Sequence, residues 1–540
     1  MNSPQPWPAH VVLIGAPDRP DDAEEALDRS SVGAKAANLA RMAQLGLPVP
    51  AALVLGTAYS RVGTEQIRNA LAATLPSLES LTGAVLGEPS RPLIVSVRSG
   101  APVSMPGMLE TLLNIGLCDA TVSGLLRRTG NPRLVWDSYR RLVASYAETV
   151  MGLDPAPFDA ELARALDGRV ESDLDFSELR DLTRSFRSIY RSLANVDFPQ
   201  SARDQLHGAV LAVHRSWQAD KAQAYRARHG IDESLGTAVI VQVMVFGNAG
   251  GRSGAGVGFT RDPTTGDPRP WVDYLANAQG EDVVSGRRNA HGHQRLAAAA
   301  PHAWAELLQG CQRLEQAFGD MQDFEFTVED GRLYWLQTRA GKRTLLATAR
   351  IALDLLHEGV IDGPTARSRT DTVDSAQLGV MRLTETTDDA PEGSEARRPL
   401  AQAHVASPGV AAGELVLDSE AAIRRVAQGA PVVLVRADAE TRDIAAVDIA
   451  QGLLTQRGAR TSHAAVVARQ LGKTCLVACE GLRIDLPARC IWLGDMRIDE
   501  GSPITLCGDD GTVWPGLLAG RLVPDIALQE RLARLREGTS

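Results

Sequence analysis

Met321-Gln-Asp-Phe-Glu-Phe-Thr-Val-Glu-Asp-Gly-Arg-Leu-Tyr-Trp-Leu-Gln-Thr-Arg339 is the stretch whose pattern decides the architecture. Two alternating runs flank Asp330-Gly331, a dipeptide suited to a two-residue hairpin turn because both positions tolerate positive φ. Side chains alternate across a strand, so Asp323, Glu325 and Thr327 share one face of the first run, and Gln337 and Arg339 share one face of the second. If the register joins those faces, hard oxygens from Asp323, Glu325 and Gln337 meet the cation of Arg339. A magnesium-bound triphosphate needs such a set, since Mg2+ takes few protein carboxylates and shares phosphate oxygens. The plain alternative is a polar solvent face on an edge hairpin.

Further along stands Thr455-Gln-Arg-Gly-Ala-Arg-Thr-Ser-His-Ala-Ala-Val-Val-Ala-Arg469. Thr461 and Ser462 are N-cap residue types, and a helix-compatible run continues to about Gly472, a C-cap type. His463 then sits where first-turn amides and the helix dipole favour an anion. A neutral imidazole is a competent nucleophile, and Ala464 and Ala465 leave room for a bulky polyphosphate, so His463 reads as a phosphoryl carrier. The alternative is a capping or surface histidine.

Upstream, a strand at His10 to Ile14 precedes Val32-Gly-Ala-Lys-Ala-Ala-Asn-Leu-Ala-Arg-Met42, a glycine turn running into a helix with Lys35 in its first turn. Leu93 to Arg98 reads as a strand that delivers Arg98 into a Ser/Gly/Pro loop ending at Met108, where Ser99, Gly100, Ser104 and Gly107 would expose backbone amides. No GxxxxGK[ST] follows, so this is not a Walker A loop. Residues 111–235 read mainly as helices, including Pro132 to Met151 with a core stripe of Trp136, Tyr139, Leu142 and Tyr146, and one long amphipathic helix from Gln205 to His229. Strand character returns at Gly236 to Phe246. The glycines at 254, 256 and 258 suggest bulges or close backbone approach beside a ligand, and Glu281 with Asp282 forms either a turn or a contact to nucleotide hydroxyl or amino groups. The polar, acidic stretch Thr384 to Arg398 is the clearest linker. A β-rich domain follows, with strands near Gly413 to Leu417, Val432 to Arg436 and Ile449 to Leu454, and the tail beyond Pro524 is an amphipathic helix.

Length and charge bound these readings. The 540 residues suggest about three domains at ~150 residues each. Asp and Glu outnumber Lys and Arg by 66 to 56, with no long run of either sign, so a general nucleic-acid surface is not expected. Six cysteines without a CxxC pair read as reduced thiols. The N-terminus lacks signal-peptide blocks and no segment has ~18 uninterrupted apolar residues, so the expectation is a soluble cytoplasmic protein with no membrane contact.

Seven ordered motifs resemble the pyruvate phosphate dikinase family: GAKAANLARM (33–42), VSVRSGAPVSMPGM (95–108), WDSYRR (136–141), VFGN with SGAGVGFTRDP (245–263), NAQGEDVV (277–284), DFEFTVEDGRLYWLQTRAGKRT (323–344) and TSHAAVVAR (461–469). The resemblance implies an α/β multidomain chain: an ATP-grasp N-terminal lobe (1–110), a mainly helical insertion (111–235), an ATP-grasp C-terminal lobe (236–345), a helix and mobile linker (346–400), a swivelling phosphohistidine domain (401–520) and a C-terminal helix (521–540). It implies that Lys35, Arg98, Ser104, Gly107, Asp323 and Arg339 grip ATP phosphates, that Glu281 lies at the nucleoside end, that Glu325 and Gln337 hold Mg2+, and that His463 carries the phosphoryl group. A pyrophosphoryl group would pass from ATP to the histidine, and orthophosphate or water would take its outer phosphate. Thr461 matches the regulatory phosphorylation threonine of some dikinases.

In the family a TIM barrel follows and binds pyruvate or phosphoenolpyruvate. Only ~20 residues remain here after Gly520, so the expectation is the ATP-to-histidine half-reaction, with the acceptor on a separate subunit or a small molecule and a homodimer left open. Two departures stand out: Arg460 where the dikinases have methionine, and Ala34 where they have glycine. Two other classes stay open, a small-molecule phosphotransferase component of the antibiotic or phenol type and a non-catalytic nucleotide-binding phosphocarrier.

Overall fold

The computed structural model describes residues 8–15, 28–103, 105, 108–284, 291–384, 398–438 and 443–538. They divide into two compact units, Met1–Gly250 with Tyr334–Gln337, and Gly251–Leu333 with Thr338–Ser540. The mixed α/β class expected from the motifs, with several sheets and many helices, is the one observed.

The first unit is built on an antiparallel sheet of β1 (Val11–Ile14), β2 (Ala52–Leu55), β3 (Val95–Gly100), β4 (Thr111–Ile115) and β5 (Ala238–Val243), in the order β1-β2-β5-β3-β4. The apolar runs of β2 and β5 are buried on both faces, which a central position allows. Thus β5, grouped by sequence with the second lobe, is the middle strand here. Its continuous apolar pattern demands neighbours on both sides and does not say which sheet supplies them. Likewise Thr111–Ile115, at the start of the expected helical insertion, is the edge strand beside β3.

Helices from Asp119 to Ser216 cover this sheet. Asn131 caps Pro132–Thr149, with proline at the first helical position. Three of the four residues of the expected stripe, Tyr139, Leu142 and Tyr146, are buried core, with Trp136 half-buried against them, and the Phe198 ring lies 6.1 and 5.6 Å from the two tyrosine rings. Gln205 to His229 is two helices, not one, Ala202–Ser216 and Asp220–His229. Trp217 turns inward against Ala101, Met105 and Ala222, and Arg226 stacks 4.3 Å above its indole while donating to its carbonyl at 2.6 Å. Burial of that ring outweighs continuing the helical hydrogen bonds.

The second unit begins with β6 (Gly254–Phe259), β7 (Trp271–Ala276), β8 (His291–Gly292), β9 (Gln322–Glu329) and β10 (Arg332–Ala340), in the order β10-β9-β6-β7-β8. The hairpin between β9 and β10 turns at Asp330 (φ 48°) and Gly331 (φ 82°), the positive-φ pair the dipeptide promised. The β6 glycines lie in unbroken register with β7 and β9, without a bulge. Close approach is real, but protein rings supply it: a Cβ on Gly254 would meet the Tyr274 hydroxyl at 2.2 Å, and Cβ atoms on Gly256 and Gly258 would meet the Phe326 and Phe324 rings at 2.4 and 2.7 Å.

The rest of this unit holds β11 (Gly379–Leu383), β12 (Ala401–Gln402), β13 (His404–Ser407), β14 (Val410–Val416), β15 (Val432–Arg436), β16 (Gly452–Thr455) and β17 (Thr474–Val477). After them come a three-stranded meander, β18 (Leu482–Asp485), β19 (Cys490–Leu493) and β20 (Met496–Asp499), then β21 (Pro503–Cys507), β22 (Thr512–Pro515) and β23 (Gly520–Pro524). Eight strands form one sheet, β12-β22-β21-β14-β15-β16-β17-β13, with a parallel centre from β14 to β17. Ile449, expected at the start of a strand, instead ends the helix Ile444–Ile449, and β16 begins three residues later. β11 and β23 pair in a separate antiparallel ribbon. The tail helix Ile526–Glu537 buries Leu528, Leu532 and Leu535 against Leu353, Ala366 and Val373. Most of the predicted linker, residues 385–397, lies outside the described residues.

Candidate functional site

In the first unit, the helix Arg29–Gln44 is broken at Gly33 (φ 79°, ψ 158°), so its regular part starts at Ala34, one residue before Lys35. The break presses backbone on backbone. Ala34 N–H donates to Ala101 O at 3.0 Å, and a Cβ on Gly33 would lie 1.7 Å from Gly100 O. Lys35 is half-buried at this junction with the end of β3. Arg98, also half-buried on β3, donates to Gln242 Oε1 (3.2 Å), Leu336 O (3.2 Å) and Gln337 Oε1 (3.3 Å). Gln242 is itself held by donation to Pro50 O. The arginine is therefore oriented by groups that do not depend on a ligand.

Ser99 and Gly100 do not offer free loop amides. Both are inside β3, opposite Val239 and Ala238 of β5, and Gly100 N–H donates to Thr237 Oγ1 at 3.3 Å. The strand continues two residues past Arg98 because β5 is there to pair with it. Ser104 and Gly107 lie outside the described residues.

In the second unit, the alternation on β9 and β10 brings Asp323 and Arg339 together, with Arg339 Nε donating to Asp323 Oδ2 at 2.9 Å. Thr338 Oγ1 donates to Asp323 O at 3.1 Å, which sets the backbone beneath the pair. Burial pushes the Asp323 carboxyl above its usual range, with Arg339 opposing. Burial would lower Arg339, but Asp323 and Glu325 outweigh it and raise its pKa, so it stays cationic. Glu325, two residues along the same face, is half-buried. The expected metal pair thus falls on different units, Glu325 on the second and Gln337 on the first. Among the described residues no three His, Cys, Asp or Glu side chains form a metal cluster. Glu325 supplies one hard carboxylate oxygen, a donor type that suits Mg2+ when phosphates complete its shell.

Glu281 and Asp282 have separate roles. Asp282 accepts from Gln279 N–H at 3.0 Å, bracing the start of the helix Gly280–Val284, while Glu281 is exposed.

His463 is the first residue of the helix His463–Gln470, and Ser462 is its N-cap, accepting from Ala465 N–H. The helix stops at Leu471, and Gly472 follows at φ 66°. Thr461 has a different partner: its N–H and Oγ1 donate to Asp273 Oδ2 at 3.1 and 3.0 Å. Asp273 was missed from the sequence, although an acid in the middle of Trp271-Val-Asp-Tyr-Leu-Ala276 was the available signal, since a buried charge requires partners. Arg469 was missed as well. Its buried guanidinium, pulled down by burial to about 10, donates to Ala406 O and Arg460 O.

The chain is similar to known proteins along most of its length. Residues 62–298 match the pyruvate phosphate dikinase, AMP/ATP-binding domain, and residues 428–511 match the PEP-utilising enzyme, mobile domain. Pyruvate, phosphate dikinase of Clostridium symbiosum is 40% identical over 499 residues, 90% of this chain and 56% of that protein. The enzyme of Rhizobium meliloti (strain 1021) is 40% identical over 530 residues, 94% of this chain and 58% of its own. The chloroplastic pyruvate, phosphate dikinase 1 of Arabidopsis thaliana is 40% identical over 511 residues, 92% and 52%. The chain carries the ATP-binding and mobile domains of pyruvate phosphate dikinases. It spans a little over half the length of these dikinases. Arg98 and Lys35 flank the start of the dikinase ATP-binding match, and His463 falls within the mobile-domain match. Among the described residues, no helix is long and apolar enough to cross a membrane.

Proposed function

We propose that this chain is an ATP-dependent phosphotransferase of the dikinase type that phosphorylates itself on His463 using Mg-ATP. The imidazole attacks the β-phosphorus, AMP leaves, and the resulting pyrophosphoryl-histidine gives its outer phosphoryl to orthophosphate or water. Phosphohistidine then hands its group to pyruvate or another acceptor held by a separate subunit. Lys35, Arg98, Asp323 and Arg339, with the Ser104 and Gly107 loop, bind phosphates; Glu325 and Gln337 hold Mg2+; Glu281 serves the nucleoside end. Mg2+ supplies charge neutralisation on the phosphate oxygens. The observation that carries the reading is the placement of His463 at the head of a capped helix, where backbone amides stabilise an incoming phosphate. Thr461 is the candidate regulatory site, because a phosphate on its Oγ1 would face the buried Asp273 carboxylate and displace the loop. A cytoplasmic location fits the six free, buried thiols.

The test is incubation with Mg2+ and ATP labelled separately at the β and γ positions, with and without orthophosphate. Acid-labile β-label on the wild type and none on His463→Ala is expected. An unlabelled wild type that still binds ATP would replace this reading with a nucleotide-binding carrier.

A further inference from the structure

Arg460, three residues before His463, makes the densest polar contact of its loop. Its Nε and Nη2 donate to Asp273 Oδ1 at 3.0 and 2.8 Å, and Nη2 also reaches Val272 O at 3.3 Å. Its guanidinium carbon lies 4.3 Å above the Trp271 ring. The second Asp273 oxygen takes both Thr461 bonds, so one carboxylate is saturated by two consecutive loop residues. Asp273 is only 2% exposed and is fixed mid-strand, opposite Val257 on β6 and Gly292 on β8. Arg469 adds a second cation 5.2 Å from Trp271 and 5.5 Å from Phe259; besides its bonds to Ala406 O it donates to Arg460 O at 3.2 Å, bracing the loop from behind.

A buried carboxylate is costly unless its charge is met, and a guanidinium that sets two N–H donors on one of its oxygens, while Thr461 holds the other, meets it with fixed geometry. Stacking on an indole adds direction, which lysine or methionine at this position could not reproduce. Pulling the loop off β7 would strand the Asp273 charge and lose all of these contacts at once. We propose that Arg460 is a positioning residue, which with Asp273 and Trp271 clamps the loop before His463 to β7 and so sets the histidine for phosphorylation. The clamp rests on the reading of His463 as the phosphorylated residue; its contacts do not.

The experiment uses the full chain, wild type and the variants Arg460→Met, Asp273→Asn and their combination. Three quantities are read: the initial rate of β-label incorporation at saturating Mg-ATP, the ATP Kd by equilibrium dialysis, and hydrogen exchange of a peptide spanning residues 456–463. Each single variant is expected to slow labelling about 30-fold or more, the low end of the loss for breaking one partner of a desolvated charge pair. The double variant should be no slower than the slower single, ATP Kd unchanged, and the Thr461 amide should lose exchange protection in all three. Arg460→Lys, which keeps the charge and loses the fork, should recover part of the rate. Wild-type labelling and wild-type exchange in Arg460→Met would overturn the clamp, as would strictly additive losses in the double variant. If the wild type takes no label but exchange still responds to Arg460→Met, the clamp stands and the phosphorylation reading falls. Should Asp273→Asn fail to fold, Arg460→Met and Arg460→Lys decide the matter alone, because residue 460 lies in a loop and not in the core.

Discussion

Gly33 and Gly254 look alike on paper, and the chain needs them for different reasons. Gly33 sits at φ 79°, and a Cβ there would run into the Gly100 carbonyl at 1.7 Å, backbone against backbone. Gly254 has an ordinary strand conformation, and everything a Cβ would strike belongs to the Tyr274 ring, at 2.2 to 2.5 Å. The first obstruction cannot move without moving β3 and, with it, Arg98. The second is a side chain that substitution can shorten. A glycine required by a neighbouring backbone is therefore a property of the fold, whereas one required by a ring is half of a replaceable pair.

Substitutions rank the two cases. Gly33→Ala should have the largest effect, at least about 3 kcal/mol by denaturant titration, since positive φ and an immovable carbonyl act together. No second-site side-chain change should restore it, and a compensating one would break the distinction. Gly254→Ala should cost about 1–3 kcal/mol as an overpacked core site. Here Tyr274→Leu should compensate, so that the double variant is more stable than the summed singles by at least about 1 kcal/mol. Gly331→Ala isolates the conformational term. Its φ is 82° and its nearest neighbour is the Arg252 side chain at 3.9 Å, so a loss near 1 kcal/mol is expected. Gly280→Ala is the control: nothing lies within 4 Å and φ is not positive, so thermal melting should shift by no more than a few tenths of a kcal/mol, in the stabilising direction.

The same contrast separates what could be read in advance from what could not. The hairpin was legible because Asp330-Gly331 has a local cause, positive φ at both positions, and the alternation around it then brought Asp323 to Arg339. The helix headed by His463 was legible for the same reason, through Ser462 and Gly472, although of the two candidate caps only Ser462 caps. What stayed hidden depended on partners distant in sequence. β5 carries no mark of which sheet receives it. The break at Trp217 depends on Ala101 and Met105, more than a hundred residues earlier, and Ser99 and Gly100 became strand because β5 lies alongside. The β6 glycines announced a close approach and not its author. Asp273 was visible as an anomaly, an acid in an apolar strand, but its partner Arg460 is 187 residues away.

The ribbon of β11 and β23 has a modular consequence. Leu383 stands opposite Gly520, so everything between them enters and leaves through two adjacent backbone positions, about 5 Å apart in an antiparallel pair. Beyond the ribbon, the tail helix is fastened to Leu345–His357 by Arg350 to Asp525 and Arg531 to Asp354, each at 2.7 Å. The histidine-bearing sheet is in this sense a cassette plugged into a two-pin socket. A short turn in place of residues 384–519, combined with Asp273→Asn to remove the charge that Arg460 and Thr461 meet, should leave the socket closed and the remainder folded, and a foreign domain with neighbouring termini should be accepted at the same seam.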